Sequence, residues 1–345
     1  MPQSVVRLAP QTNSHLPPPD RVDAPRLLVR DIASPAALRA ELLAGLLAEA
    51  PTIAPKHLYD GQGAALYDAL VRLDEYLPPR LEAALFQRHR AAILQALPQA
   101  AQWIDLGCGD GAKARPWLRA TGARRYVGVD IAPDWLADTL RRTAADAPEL
   151  DVVGVVTDFS RSLDLQALLG ESSAPRVFFY PGSSIGNFER SQALALLKAV
   201  RGHLHGPADR LFIGVDGVKA EPVLVAAYDD ALGVTAAFNR NVLRAVNRAL
   251  GSDFDPRAFD HQAVFDREAS RIEMRLVPRR DQLVRLPGAP EGERCFEAGQ
   301  PLVTEHSHKW ATAAFADLLR DAGFGRVLPF DDGEGYAVFV AGAMS

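Results

Sequence analysis

A carboxylate at the end of an apolar run, followed by glycines at alternate positions, suits a cationic nucleoside better than a phosphate. Residues 103–115 read "WIDLGCGDGAKAR", with Gly107, Gly109 and Gly111 flanked by Asp105 and Asp110. Glycines there let the backbone turn sharply and approach a ligand at the carboxyl end of a strand. A pyrophosphate site would ask for GxGxxG spacing at a helix N-terminus, and two carboxylates would oppose it. The sulfonium and α-ammonium of S-adenosylmethionine are positive and fit; a merely tight strand-to-helix turn is the other reading of this string. The next apolar run, "YVGVDIA", ends in Asp130, roughly 20 residues on, where a carboxylate can accept both ribose hydroxyls or cap a helix. The run after that, "VVTDFS", offers Asp158 and Phe159 for the adenine amino group and ring, unless Asp158 only starts a helix or lies at the surface. Three such sites at the ends of successive runs favour S-adenosylmethionine over its main rival, a nicotinamide cofactor.

A second chemical stretch is "FYPGSSIGNFER", Phe179 to Arg190. If ligands lie beyond the carboxyl ends of the strands, Gly182 to Asn187 pass beside the group being transferred. Gly182 and Gly186 allow close backbone approach, and Asn187 offers a donor and an acceptor to a zwitterionic substrate. An Asn-capped helix after a loop is the plainer alternative. A third stretch, "TEHSHKW", places Glu305 and Ser307 beside His306 and His308. It reads as an exposed strand end or as a histidine-rich metal patch, but two histidines with no third ligand nearby in sequence argue against zinc, so no metal is expected.

The elements that must position these residues follow from the hydrophobic pattern. "WIDLG", "YVGVD", "DVVGVV", "RVFFYP" and "LFIGVD" alternate with Ala- and Leu-rich helical stretches, which argues βαβ units and a parallel sheet. "WATAAFADLLRDAGF" is a helix ending at Gly323, and "GRVLPFDDGEGYAVFVAGA" two strands around a turn. A parallel α/β sheet closed by a C-terminal β-hairpin is the outline of the class I methyltransferase fold, Rossmann-like. "SPAALRAELLAGLLAEAP" and "LEAALFQRHRAAILQALP" each read as one helix. Between Asp216 and Trp310 a helical stretch and antiparallel strands suggest an inserted α+β unit. The expected organisation is a flexible arm over 1–25, an accessory substrate-binding domain over 26–80 and 218–308, and a cofactor-binding domain over 81–217 and 309–345.

Composition narrows the partner class. The 345 residues carry a formal net charge of −5 with basic and acidic residues interspersed, which gives no footprint for nucleic acid. Only Cys108 and Cys295 are present, so there is no disulfide framework. No apolar run approaches the ~20 residues of a membrane span, and the N-terminal stretch lacks the apolar segment of a signal peptide. A cytoplasmic monomer acting on a small molecule is the expectation.

Taken in order, "LYDGQGAALYDAL", "DEYLPPRLEAALF", "IDLGCGDGAKAR", "PGSSIGNF", "AYDDALGVTAAFNRNVLRAVNRAL", "RIEMRLVP" and "TEHSHKW" resemble the histidine-specific Nα-methyltransferases of ergothioneine biosynthesis, from about residue 35 to the C-terminus. The resemblance implies an enzyme that converts L-histidine to the trimethylated product hercynine with S-adenosylmethionine, leaving S-adenosylhomocysteine. It implies Gly107, Gly109, Lys113, Asp130, Asp158 and Phe159 at the cofactor. Asn187 and Tyr228 match positions that hold the substrate carboxylate, and Tyr59 one near the α-amino group; these three are the implied catalytic residues. Glu305 and Ser307 match the imidazole-binding pair, while Tyr76, Gly182, Thr235 and Met274 match other pocket positions. The chain departs from the family at Pro79, where Thr is usual before the Arg, and at His306 and His308, where less polar residues are common. Another free amino acid as substrate, or a non-catalytic cofactor-binding subunit, are the rival readings.

Overall fold

The computed structural model describes residues 5–7, 25–30, 33–170 and 173–343, with side chains from residue 25 onward. Its strands are β1 (Val5–Arg7), β2 (Arg26–Val29), β3 (Gln102–Leu106), β4 (Arg125–Asp130), β5 (Asp151–Val156), β6 (Arg176–Tyr180), β7 (Arg210–Asp216), β8 (Phe259–Asp266), β9 (Arg271–Pro278), β10 (Gln282–Arg285), β11 (Glu293–Phe296), β12 (Leu302–His308), β13 (Phe324–Asp331) and β14 (Tyr336–Ala343). Nine form one sheet in the order β1-β2-β5-β4-β3-β6-β7-β14-β13. The block from β2 to β7 is parallel, and the β13–β14 hairpin adds antiparallel to β7. The five parallel runs read from the sequence are all present. This is the class I methyltransferase architecture, with a mostly parallel sheet, flanking helices and a C-terminal hairpin.

Chain order reverses around β3, whose neighbours are β4 and β6. Connections leave β4 and β6 toward opposite faces at such a point, and the crevice opens at the carboxyl ends of these strands. The sheet is buried on both sides: Ile104 and Leu106 point into one apolar cluster and Trp103 into the other, as alternation on a strand requires. In the second cluster Trp117 stands edge-on to Phe212 at a 5.1 Å ring separation, a favoured aromatic geometry.

A third apolar cluster packs the segment 42–76, the helix Val234–Leu250 and the three-stranded sheet β12-β9-β8 around Phe238, Phe259 and Leu276. Two expectations need correction. Residues 26–29, placed in the accessory unit, are a strand of the main sheet, because Leu27 and Leu28 are buried against β5 in parallel register. The helix expected over 81–98 is two helices, Pro78–Arg88 and Arg90–Ala96, broken at His89, whose ring meets Asp332 Oδ1 at 2.7 Å. Of the arm expected over 1–25, residues 5–7 pair antiparallel with β2; its remainder, apart from residue 25, lies outside the described residues. No described helix is long and apolar enough to cross a membrane.

Candidate active site

The turn after β3 is built as its composition demands. Gly107, Gly109 and Gly111 all have φ between +53° and +67°, a region costly for residues with a Cβ. A Cβ on Gly109 would meet nothing within 4 Å, so this backbone faces open space where a ligand can lie. Asp130, at the end of β4, accepts from the amides of Gly109 (3.2 Å) and Ala132 (3.0 Å); burial nevertheless pushes its carboxyl above the ordinary carboxylate range. Asp105 is buried, with Oδ2 accepting from the Tyr126 hydroxyl at 2.9 Å and Oδ1 without a partner. Burial pushes its pKa up to about 7. An orphaned carboxylate oxygen beside a glycine turn suits a cationic ligand and repels a phosphate, so the residues present fit S-adenosylmethionine.

The other expected cofactor residues have partners within the protein. Phe159 lies beside Gly107 and stands perpendicular to Tyr180 at 5.8 Å. Asp158 is bonded through Oδ1 to Ser160 and through Oδ2 to Lys56 Nζ at 2.9 Å. Burial opposes its ionisation, but Ser160 and Lys56 hold its carboxyl below the ordinary range. Lys113 pairs with Glu82 Oε2 at 2.6 Å, while Glu82 Oε1 accepts from the Gly182 amide and the Tyr336 hydroxyl, both at 2.7 Å. Lys113 therefore sits between the glycine turn and the Gly182 loop, paired with a buried carboxylate while its own side chain is partly exposed.

The loop after β6 explains its small residues. Gly182 has φ +81° and Ser183, also left-handed, accepts from the Asp216 amide at 2.7 Å. A Cβ on Gly186 would come within 2.9 Å of the His308 carbonyl oxygen, so the glycine lets this loop press against β12. Asn187 closes the 3-10 turn Ser184–Asn187. It lines a cavity of about 410 Å³ together with Glu305 and residues of the segment 41–57.

On β12 a bulge decides which side chains face inward. Leu302 and Thr304 are buried, and strict alternation would send Glu305 outward. The register shift between Val303 and Glu305 turns Glu305 and Ser307 inward instead. The exposed strand end considered for this stretch is thus excluded: Glu305 is 8% and Ser307 5% exposed. Glu305 lies opposite Met274 of β9; its Oε2 has no partner, and burial, opposed by Lys309, pushes its pKa up to about 7. Its charge acts on Tyr59, Tyr67, Tyr76 and Tyr228, whose own hydroxyl pKa values burial raises first. Tyr59 meets Tyr67 and Phe238 edge-on at 5.3 and 5.5 Å, and Tyr76 meets Tyr228 at 5.8 Å. Thr235 is buried, and its amide donates to Asp230 Oδ2 at 2.7 Å at the start of its helix.

Sequence reasoning missed a fully buried ammonium. Lys309 Nζ donates to Tyr228 Oη (2.9 Å), to Ser307 Oγ (2.8 Å) and to Asp216 Oδ2 (3.0 Å). Burial lowers its pKa, but Tyr228 and Asp216 raise it above the ordinary lysine range, so it stays charged. Its three protons are all used, and the two hydroxyl oxygens lie 2.7 Å apart. One hydroxyl hydrogen joins the pair and the other is left to donate to a ligand. The available signal was a lysine between His308 and Trp310 at a strand end, where a charge has no solvated face. Glu82 was missed too, though it shares the buried side of its helix with Pro78 and Leu85.

The family model for SAM-dependent, histidine-specific methyltransferases matches residues 38–342. A histidine N-alpha-methyltransferase of Mycolicibacterium smegmatis is 38% identical over 291 residues, covering 83% of this chain and 88% of the relative. One from Mycobacterium tuberculosis is 36% identical over 303 residues, covering 87% and 92%. The ergothioneine biosynthesis protein 1 of Neurospora crassa is 29% identical over 238 residues, 66% of this chain but 26% of that longer protein. Matched by that family model over nearly its whole length, and more than a third identical to two of its relatives across most of both chains, this chain belongs to the S-adenosylmethionine-dependent, histidine-specific methyltransferase family.

Proposed function

We propose that the protein transfers methyl groups to the α-amino nitrogen of L-histidine, three times in succession, giving hercynine. The observation that carries the substrate assignment is Glu305, a buried carboxylate with one oxygen lacking a partner. A ring N–H would complete it, and apolar analogues would leave it unpaired. S-adenosylmethionine, when bound, supplies a methyl group on a positive sulfur. The chain's own contribution is alignment. Glu305 accepts from one imidazole N–H, and the hydroxyl hydrogen left free by Lys309 donates to the other ring nitrogen through Ser307 or to the carboxylate through Tyr228. Asn187 offers its amide to the carboxylate, and Gly182 leaves room beside the amine, whose proton passes to solvent before transfer. Tyr59 stands near the amine. We further propose that the accessory unit, 30–80 with 218–308, supplies this substrate pocket and that the remainder holds the cofactor.

Incubation with S-adenosylmethionine and L-histidine, followed by mass analysis of the product, tests the assignment. Three added methyl groups on histidine are expected. Methylation of a different amino acid with histidine untouched, or no S-adenosylhomocysteine with any amino acid, overturns it.

A further inference from the structure

His306 and His308 lie on β12 at positions i and i+2, and the third ligand that the sequence does not place nearby arrives from a distant part of the chain. Glu189, the residue before the helix Arg190–Gly202, puts Oε1 3.1 Å from His306 Nδ1 and Oε2 3.5 Å from His308 Nε2. The ligand atoms of the three residues all lie within 4.8 Å of one another. Zinc bonds nitrogen and oxygen at about 2.0–2.2 Å in tetrahedral geometry, which puts neighbouring ligand atoms about 3.3 Å apart. The two separations run to different oxygens of Glu189 and each lies near that spacing; with one atom taken from each residue, the three still lie within 4.8 Å of one another.

Two further observations point to a cation. His308 Nε2 is buried and makes no hydrogen bond, an unpaired polar atom aimed at Glu189. The far nitrogen of His306, Nε2, faces Glu273 Oε1 at 3.4 Å. Metal-bound histidines commonly carry a carboxylate on their other nitrogen, which fixes the tautomer and strengthens the ligand; Glu273, directly across from His306 on β9, occupies that place. Arg271 holds Glu189 Oε1 at 2.7 Å and also bonds Glu273, so Glu189 keeps Oε2 for an ion.

We propose that Glu189, His306 and His308 form a binding site for a borderline divalent cation of the zinc type, with Glu273 as the outer carboxylate and a fourth position open to water. The site lies outside the imidazole-reading residues, and its effect follows from what it ties together. Glu189 stands two residues after Asn187, and His306 and His308 flank Ser307, so a bound ion cross-links the substrate loop to β12. Glu189 and His306 also line the cavity that reaches Glu305; an ion between them narrows its entrance. Metal occupancy should therefore stiffen the protein and slow turnover.

Untagged protein stripped with chelator is titrated calorimetrically with zinc chloride in the absence of histidine, which would itself bind the metal. One saturable equivalent is expected, weakened at least tenfold in a His306→Gln/His308→Gln double variant and 10–100-fold in Glu273→Gln. Substituted cobalt should show visible absorption in the wild type and lose it in the double variant. Metal-free melting curves of every variant, together with a separate Glu189→Gln substitution, distinguish lost ligands from a damaged fold. No saturable zinc binding to the wild type, or the same stoichiometry and affinity in the folded double variant, overturns the proposal.

Discussion

A buried carboxylate whose oxygen has no hydrogen-bond partner is costly to keep ionised, and Glu305 is such a group. Its pKa of about 7 makes histidine binding depend on pH in a defined direction. An N–H donor stabilises the charged form, so histidine must displace the proton that Glu305 holds below pH 7. The affinity for histidine with S-adenosylhomocysteine bound should therefore rise as pH increases through about 7. In Glu305→Gln, whose amide does not titrate, calorimetry should find the affinity reduced and that inflection gone; a wild-type affinity flat across this range would remove Glu305 from the contact. Asp130 makes the complementary case at the cofactor. Its two oxygens are already positioned by the Gly109 and Ala132 amides, so Asp130→Ala should weaken S-adenosylhomocysteine binding by about 1.5–3 kcal/mol, the range for hydrogen bonds to a charged group. Histidine selectivity should hardly change, and titration with each ligand separates the two effects.

Between elements, the decisive contact is the loop Gly182–Asn187 against β12. A methyl group at position 186 cannot be accommodated, because it would lie 2.9 Å from the His308 carbonyl oxygen, a backbone atom that cannot rotate away. Gly186→Ala should move Asn187 off the pocket wall and lower kcat/KM for histidine by about 10–100-fold, as small misplacements do. Affinity for S-adenosylhomocysteine should stay within about twofold, since the glycine turn after β3 is untouched; equal losses in both would make the loop merely structural. The strands, the hairpin and the glycine turn were legible because hydrophobic runs and Gly spacing are local signals. The bulge that turns Glu305 inward was not, since it depends on pairing with β9. Nor was the pairing of Lys113 with Glu82 or the meeting of Glu189 with His306 and His308, because residues far apart in sequence become neighbours only when the sheet and the accessory strands are assembled. Residues 26–29 were misassigned for the same reason: a four-residue strand, flanked in the sheet by β1 and β5, carries too short a pattern to name its sheet.

At the scale of the whole molecule, the ends of two separate sheets are joined by one buried ion pair. Asp216 closes β7 of the nine-stranded sheet and Lys309 follows β12 of the three-stranded one; their side chains meet at 3.0 Å, and the Trp310 amide donates to the Asp216 carbonyl at 2.9 Å. The same ammonium fixes the hydroxyls of Ser307 and Tyr228, so one residue sets both the seating of the two sheets and the polarity of the pocket proposed for the substrate. Lys309→Met keeps the bulk and removes the charge. It leaves Asp216 buried with Lys219 on its other oxygen, so the loss of stability should fall near the lower end of the range for breaking a buried pair, about 3 kcal/mol. A merely structural lysine would stop there. Because two hydroxyl oxygens also lose the donor that oriented them, histidine binding should weaken at temperatures where the variant is fully folded, while S-adenosylhomocysteine affinity is retained. Lys309→Arg, which keeps the charge but not the compact geometry, should recover stability more than histidine affinity. Denaturant titration paired with calorimetry on both variants checks this, and full histidine affinity in folded Lys309→Met would confine Lys309 to holding the sheets together.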